Sequence, residues 1–199
     1  MNLFDISQHT KPNEAAKFAT DFQTPVNVCE YMVSLIPDIR SKLTGSMKIL
    51  EPTPGIGNLV NAIENRFAKI NDINYEITAP ADFFLLEKQR FDCVVMNPPF
   101  SSKSAFMEHA PEGMNKYGMR LGYHILLECM EMSDIVIALM PWFTISDSDV
   151  RLRYLKDFGL KSLTALPRKT FQYARVQTVV IELNKGYTDQ TEFKVFDRL

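Results

Sequence analysis

The sequence predicts an α/β fold built on a mostly parallel sheet, covered by helices on both faces and carrying an antiparallel C-terminal edge. Three observations carry that expectation. The short apolar runs at 91–96 and 135–140 lack polar alternation, as strands buried on both faces do. Segments with apolar residues at helical spacing lie between such runs. The C-terminal strand candidates are joined by short turns, which favours antiparallel pairing there.

Taken in order, Thr24-Pro25 opens a helix, with Thr24 as cap, Pro25 in the first turn, and Val28, Tyr31, Met32 and Leu35 on one face until Pro37 interrupts. Residues 48–50 form a short strand that runs into the turn Glu51-Pro52-Thr53-Pro54-Gly55-Ile56-Gly57. A helix follows over 59–67, with Leu59, Ile63 and Phe67 aligned. Residues 74–78 and 91–96 are strands, the second stopped by Pro98-Pro99 because proline cannot continue a ladder. The polar stretch 101–117 reads as a mobile loop with a partial helix, and 121–132 as a helix. Strand 135–140 ends at Pro141-Trp142, with Trp142 expected in the core. A helix over 149–158 stops at Gly159. Strands at 160–166 and 176–183 follow, and 193–196 adds an edge strand.

Composition narrows the function classes. The 199 residues are 46% hydrophobic and 23% charged, the balance of a globular domain, here 18–199 behind a flexible arm at 1–17. The absence of a signal-peptide pattern and of a long apolar run leads to an expectation of cytoplasmic residence without membrane association. Cys29, Cys93 and Cys129 are few, odd in number and far apart, so buried free thiols are expected rather than a metal site or a disulfide framework. A net charge of -2 argues against a protein that coats nucleic acid nonspecifically. Locally the balance reverses. Arg151, Arg153, Lys156, Lys161, Arg168, Lys169 and Arg175 face Asp157 alone in 151–175, a pattern that suits either a solvated face or a phosphate-contacting rim.

Two motifs carry chemistry. Gly55 and Gly57 let a strand-to-helix turn pass close to a ligand's nucleoside part, with Glu51 as an acceptor at the strand end. Asn58-Leu59-Val60 then breaks the G-x-G-x-x-G fingerprint of a pyrophosphate site. In Asn97-Pro98-Pro99-Phe100, the Asn97 side-chain oxygen and the Pro98 carbonyl are acceptors on a rigid, donor-free turn. They suit the two hydrogens of an aryl NH2 group, and Phe100 offers a flat face for its ring.

Together these motifs resemble the N6-adenine DNA methyltransferases in their gamma-type order, in which cofactor motifs precede the catalytic one. The resemblance implies a Rossmann-like class I methyltransferase fold, S-adenosylmethionine as cofactor and DNA as partner. It assigns catalysis to Asn97, Pro98, Pro99 and Phe100. It assigns cofactor binding to Thr24, Pro25, Glu51, Thr53, Gly55, Gly57, Asp82, Phe83 and Asn97, with Glu76 as the acid that ends the second strand and holds the ribose. Phe22-Gln23-Thr24-Pro25 is similar to the segment that packs on the cofactor's methionine end, and Ala81-Asp82-Phe83 to the pair that contacts its adenine. Thr170-Phe171, ahead of 176–181 and Lys185, is similar to the family's late aromatic segment. Phe100 and Phe171 would then sandwich an extruded adenine, with Arg168, Lys169 and Arg175 on the substrate.

Two departures accompany the resemblance. Only 40 positions separate Gly57 from Asn97, which implies a reduced cofactor half. No target-recognition segment is expected after the catalytic domain, so sequence choice falls to the 101–123 loop, to a protein partner or second copy, or is loose. Adenine in RNA, a glutamine amide in protein, and a non-catalytic methyltransferase-like subunit stay open as alternatives. His109 and His124 are read as structural or surface residues.

Overall fold

The computed structural model describes residues 22–39, 42–105, 107–171 and 176–197. The arm expected at 1–17 and Arg175 lie outside them.

Seven strands form one sheet in the order β2-β1-β3-β4-β6-β5-β7. They are β1 Met47–Leu50, β2 Tyr75–Thr78, β3 Cys93–Met96, β4 Ile135–Pro141, β5 Leu160–Ala165, β6 Thr178–Asn184 and β7 Glu192–Val195. β1 to β4 pair in parallel, with Leu50 level with Val94 and Met96 level with Ala138. β6 runs antiparallel to both β4 and β5, while β7 pairs in parallel with β5. The expected antiparallel edge is therefore one reversed strand inside the sheet, and the outermost strand runs with the majority.

The helices are α1 Val26–Ser34, α2 Asn58–Lys69, α3 Leu121–Met132, a short α4 Phe143–Ser146 that the sequence reading missed, and α5 Asp149–Phe158. Strand side chains alternate between the faces. Ile49, Cys93, Val95, Ile137 and Leu139 join Val28, Met32, Leu59, Ile63 and Phe67 of α1 and α2 on one side. Leu50, Val94, Met96, Val136, Ala138 and Met140 join Leu121, Ile125, Leu126 and Cys129 of α3 and Leu155 of α5 on the other. Burial on both faces is why these strands are continuous apolar runs. Arg66 of α2 ties the two helices together by donating to the Val33 and Ile36 carbonyls at the C-terminal end of α1, the latter at 2.8 Å.

The short span between Gly57 and Asn97 holds little regular structure. Among the described residues β2 is the sheet's outer strand, and the crossover from β2 to β3 holds only the 3-10 turn Phe83–Leu85. The segment expected as a mobile loop contains 3-10 turns at Ser102–Ser104 and Met114–Arg120 and docks on the rest of the domain through Met114, which is buried. Trp142 is half-buried against the α3-side core, its ring 6.3 Å from that of Phe193 and perpendicular to it. The described helices include none long and apolar enough to cross a membrane.

Candidate active site

Parallel neighbours end at the same side of a sheet, so the segments leaving β1 and β3 meet there. Glu51 follows β1 directly and Asn97 follows β3 directly. A third contributor is the segment before α1, which crosses in front of both.

The Asn97 side chain is held by that segment. Its Nδ2 donates to Thr24 Oγ1 at 3.0 Å and to the Phe22 carbonyl at 3.3 Å. A carbonyl can only accept, so the amide's orientation is fixed and both N–H hydrogens are used. Oδ1 has no partner among the described residues. Thr24 is 3% exposed. The sequence assigned it to capping α1, but Pro25 stands at that cap and Thr24 makes no side-chain capping bond. Its hydroxyl serves Asn97 instead, while its carbonyl accepts from Asn58 Nδ2 at 3.0 Å and from Cys29 Sγ at 3.4 Å. The roles of Thr24 and Asn58 had no local signal, because their partners lie tens of residues away.

Pro98 is buried and Pro99 half-buried. The turn they form is backed by α3. A Cβ on Gly122 would lie 3.2 Å from the Pro99 carbonyl and 3.4 Å from Phe100 Cα. Glycine gives up backbone entropy in a helix, and here it lets α3 approach the turn. Phe100 is half-buried and leans on the α1/α2-side core.

The glycine turn stands beside it. Gly55 and Gly57 have φ of +56° and +91°, a region glycine enters without strain. Any Cβ on Gly55 would come 2.4 Å from Gln23 Nε2, and Gln23 Oε1 accepts from Ile56 N–H at 3.4 Å. Glu51 is fully buried. Its Oε1 accepts from Thr53 N–H at 2.9 Å and Thr53 Oγ1 at 3.4 Å, and the same hydroxyl lies 3.4 Å from the Asn97 carbonyl. Glu51 Oε2 has no partner among the described residues. Burial pushes the carboxyl up to about 8, against a smaller opposing effect of the Thr53 hydrogen bonds. Burial therefore favours the protonated form of the acid, with Oε2 open among the described residues.

Asp82 lies past β2, where its Oδ1 accepts from Phe84 N–H at 2.9 Å and caps the 3-10 turn that begins at Phe83. Its Oδ2 is 2.8 Å from His109 Nδ1. His109, expected as a structural or surface residue, is exposed and makes this contact from the surface. Glu76 departs from the expected position. It is exposed, sits level with Lys48 inside β2, and stands two residues before the carboxyl end at Thr78. The strand continues past it because β2 stays paired with β1 to Leu50.

The base sandwich is corrected as well. Phe171 is 6% exposed and packs in the α1/α2-side core with Leu166 and Phe196, so it offers no open face. The basic segment divides in two. Arg151 donates to the Phe143 carbonyl at 3.0 Å and lies over the Tyr123 ring, Lys156 donates to the Asp189 carbonyl at 2.6 Å, and Lys161 pairs with Glu182 at 2.7 Å. Arg168 and Lys169 are exposed, and follow β5 at the same end of the sheet as Asn97. All three cysteines are buried and free.

No protein-family model matches the sequence, and no curated protein matches it either. Solved structures do match in fold. A type I restriction-modification methyltransferase subunit from Streptococcus thermophilus is 18% identical with a TM-score of 0.62, over 90% of this chain and 49% of that one. The modification subunit of a proposed type I restriction enzyme from Vibrio vulnificus is 16% identical with a TM-score of 0.61, over 89% and 47%. A proposed class I S-adenosylmethionine-dependent methyltransferase from Listeria monocytogenes is 14% identical with a TM-score of 0.61, over 96% and 68%. The chain thus spans about half the length of the first two. The fold is that of the class I methyltransferases.

Proposed function

We propose that this chain uses S-adenosylmethionine to methylate the exocyclic N6 amine of adenine in DNA. The observation that carries the reading is the Asn97 amide, whose two hydrogens are both spent on fixed acceptors while Oδ1, in the turn that also carries the Pro98 carbonyl, has no partner among the described residues. Two acceptors on a rigid turn match the two hydrogens of a planar NH2 group. By accepting both, Asn97 and Pro98 draw electron density to the nitrogen and aim its lone pair away from the ring plane. Such positioning lowers the barrier without a strong base, and the proton leaves to solvent after transfer. Phe100 supplies an apolar surface for the base, which must leave the duplex to reach this turn.

The residues fit the cofactor. S-Adenosylmethionine supplies a methyl group made electrophilic by its sulfonium. Glu51 Oε2, unpartnered among the described residues, suits a ligand that brings a hydrogen-bonding group, and a positive charge placed there would draw the carboxyl toward its ionised form. Gly55 and Gly57 leave the backbone open to a nucleoside, Thr24 holds the Asn97 amide with Pro25 next to it in the chain, and Thr53 ties Glu51 to the Asn97 backbone. Asp82 is the acceptor for the cofactor's adenine amine, with Phe83 beside it. Arg168 and Lys169 supply phosphate contacts. The fold likeness to two modification subunits supports DNA over RNA or protein.

A tritiated-methyl assay offering DNA, RNA and protein side by side tests the reading. Label is expected on DNA adenine and is expected to vanish in Asn97→Ala, with cofactor affinity within a few-fold of the parent. Full-rate methylation by that variant would remove the chemistry assigned here. The single 3-10 turn between β2 and β3 favours a second reading, a subunit that binds without turnover. Calorimetry with millimolar S-adenosylmethionine separates the two, since the second expects no cofactor binding.

A further inference from the structure

Among the described residues, the segment 101–120 leaves the Asn97-Pro98-Pro99-Phe100 turn and is hydrogen-bonded to the segment after β2 at one point. That point is the His109–Asp82 contact, 2.8 Å long and spanning 27 residues of chain. Asp82 is nearly enclosed, its side chain 11% exposed, whereas that of His109 is 42% exposed. A carboxylate only accepts hydrogen bonds, so His109 Nδ1 carries the proton and donates it. Phe84 N–H already holds the other oxygen at 2.9 Å. Held by one oxygen, a carboxylate can still rotate about its terminal torsion, which is broad and soft. Held by both, its plane is set, and each oxygen keeps a further lone pair for a ligand.

We propose that His109 is a positioning residue, which fixes Asp82 to receive the cofactor's adenine amine and thereby joins the target-side loop to the cofactor pocket. This rests on the cofactor assignment made above. Because linkage is reciprocal, a cofactor that settles on Asp82 also steadies the loop through His109.

The test pairs S-adenosylhomocysteine with its inosine counterpart, which has oxygen in place of the exocyclic amine, and measures both by calorimetry. His109→Ala is expected to weaken S-adenosylhomocysteine about tenfold, the worth of one hydrogen bond to a charged group, and to leave the inosine form within twofold. His109→Asn, whose amide N–H can stand where Nδ1 stands, is expected to restore most of the loss. Hydrogen exchange supplies a second readout: S-adenosylhomocysteine should protect residues 107–120 in the parent protein and not in His109→Ala. Equal affinity of parent and His109→Ala for S-adenosylhomocysteine overturns the positioning role and leaves the methyltransferase reading in place. Equal weakening of both ligands overturns it too, since the effect would then not pass through the amine. No binding to the parent protein overturns both.

Discussion

Replacing Glu51 by glutamine should remove a steep dependence of stability on pH. In the folded protein burial holds the Glu51 carboxyl up to about 8, against an ordinary value of 4.5. Between those two values the folded state keeps a proton that the unfolded chain has released. Stability from this group is therefore complete below about pH 4.5 and is lost as pH rises toward 8. The slope is about 1.4 kcal/mol per pH unit, so raising the pH from 5.5 to 7.5 costs about 2 to 3 kcal/mol. For a chain of this size that corresponds to a fall in Tm of roughly 5 to 11 °C. Glu51→Gln is neutral throughout and keeps an oxygen for Thr53 N–H, so its own curve should lack this component. The assay is calorimetric or fluorescence-monitored unfolding of both proteins without cofactor across pH 5 to 8.5. Subtracting one curve from the other cancels titrations common to both, the histidines included. Parallel curves for the two proteins would refute the reasoning, and would mean that Glu51 is ionised in its pocket or reaches water.

Three further outcomes are expected. Thr24→Val removes the hydroxyl that fixes the Asn97 amide at 3.0 Å, so kcat should fall about tenfold with cofactor affinity within twofold; an unchanged kcat in steady-state kinetics would show that Asn97 needs no such support. Gly55→Ala places a Cβ 2.4 Å from Gln23 Nε2 at a φ of +56°, so thermal unfolding should register a loss of about 1 to 2 kcal/mol, and the added Gln23→Ala substitution should return the part due to the clash but not the part due to φ. Burial raises all three thiols, Cys29 to about 12, so Ellman's reagent at pH 8 should label none of them in the native protein and all three in denaturant; rapid labelling of one without denaturant would contradict its burial.

Local chemistry explains why most of the fold was readable. The buried strands are unbroken apolar runs because both faces are covered, and Pro98 and Pro141 mark where β3 and β4 give way. What depended on distant partners was not readable. The sequence of β7 is ordinary for an edge strand, and its parallel pairing with β5 follows from how the chain returns from β6. A threonine before Pro-Val-Asn looks like a helix cap, and only the folded chain shows that its hydroxyl belongs to Asn97. The tetrapeptide and glycine turn were legible because they are contiguous, whereas the His109–Asp82 pair and the Gly122 approach join segments that share no local pattern. Phe171 was misplaced for a related reason: an aromatic after a strand can point outward or into the core, and the α1/α2 layer claims this one.

The single reversed strand also governs how the chain reaches its folded state. β6 enters between β4 and β5, bonded along its whole length to β4 from Ile135↔Asn184 to Pro141↔Thr178. Until residues 178–184 arrive, β4 and β5 have no partner for their facing edges, and Val136, Ala138 and Met140 lack half of their neighbours. A nascent chain that has emerged only as far as β5 therefore carries two adhesive edges, which other chains can pair with. Assembly of the sheet is in this sense a late event in synthesis, completed by a strand that closes a gap from within, and truncations ahead of Thr178 should aggregate where truncations behind β7 need not.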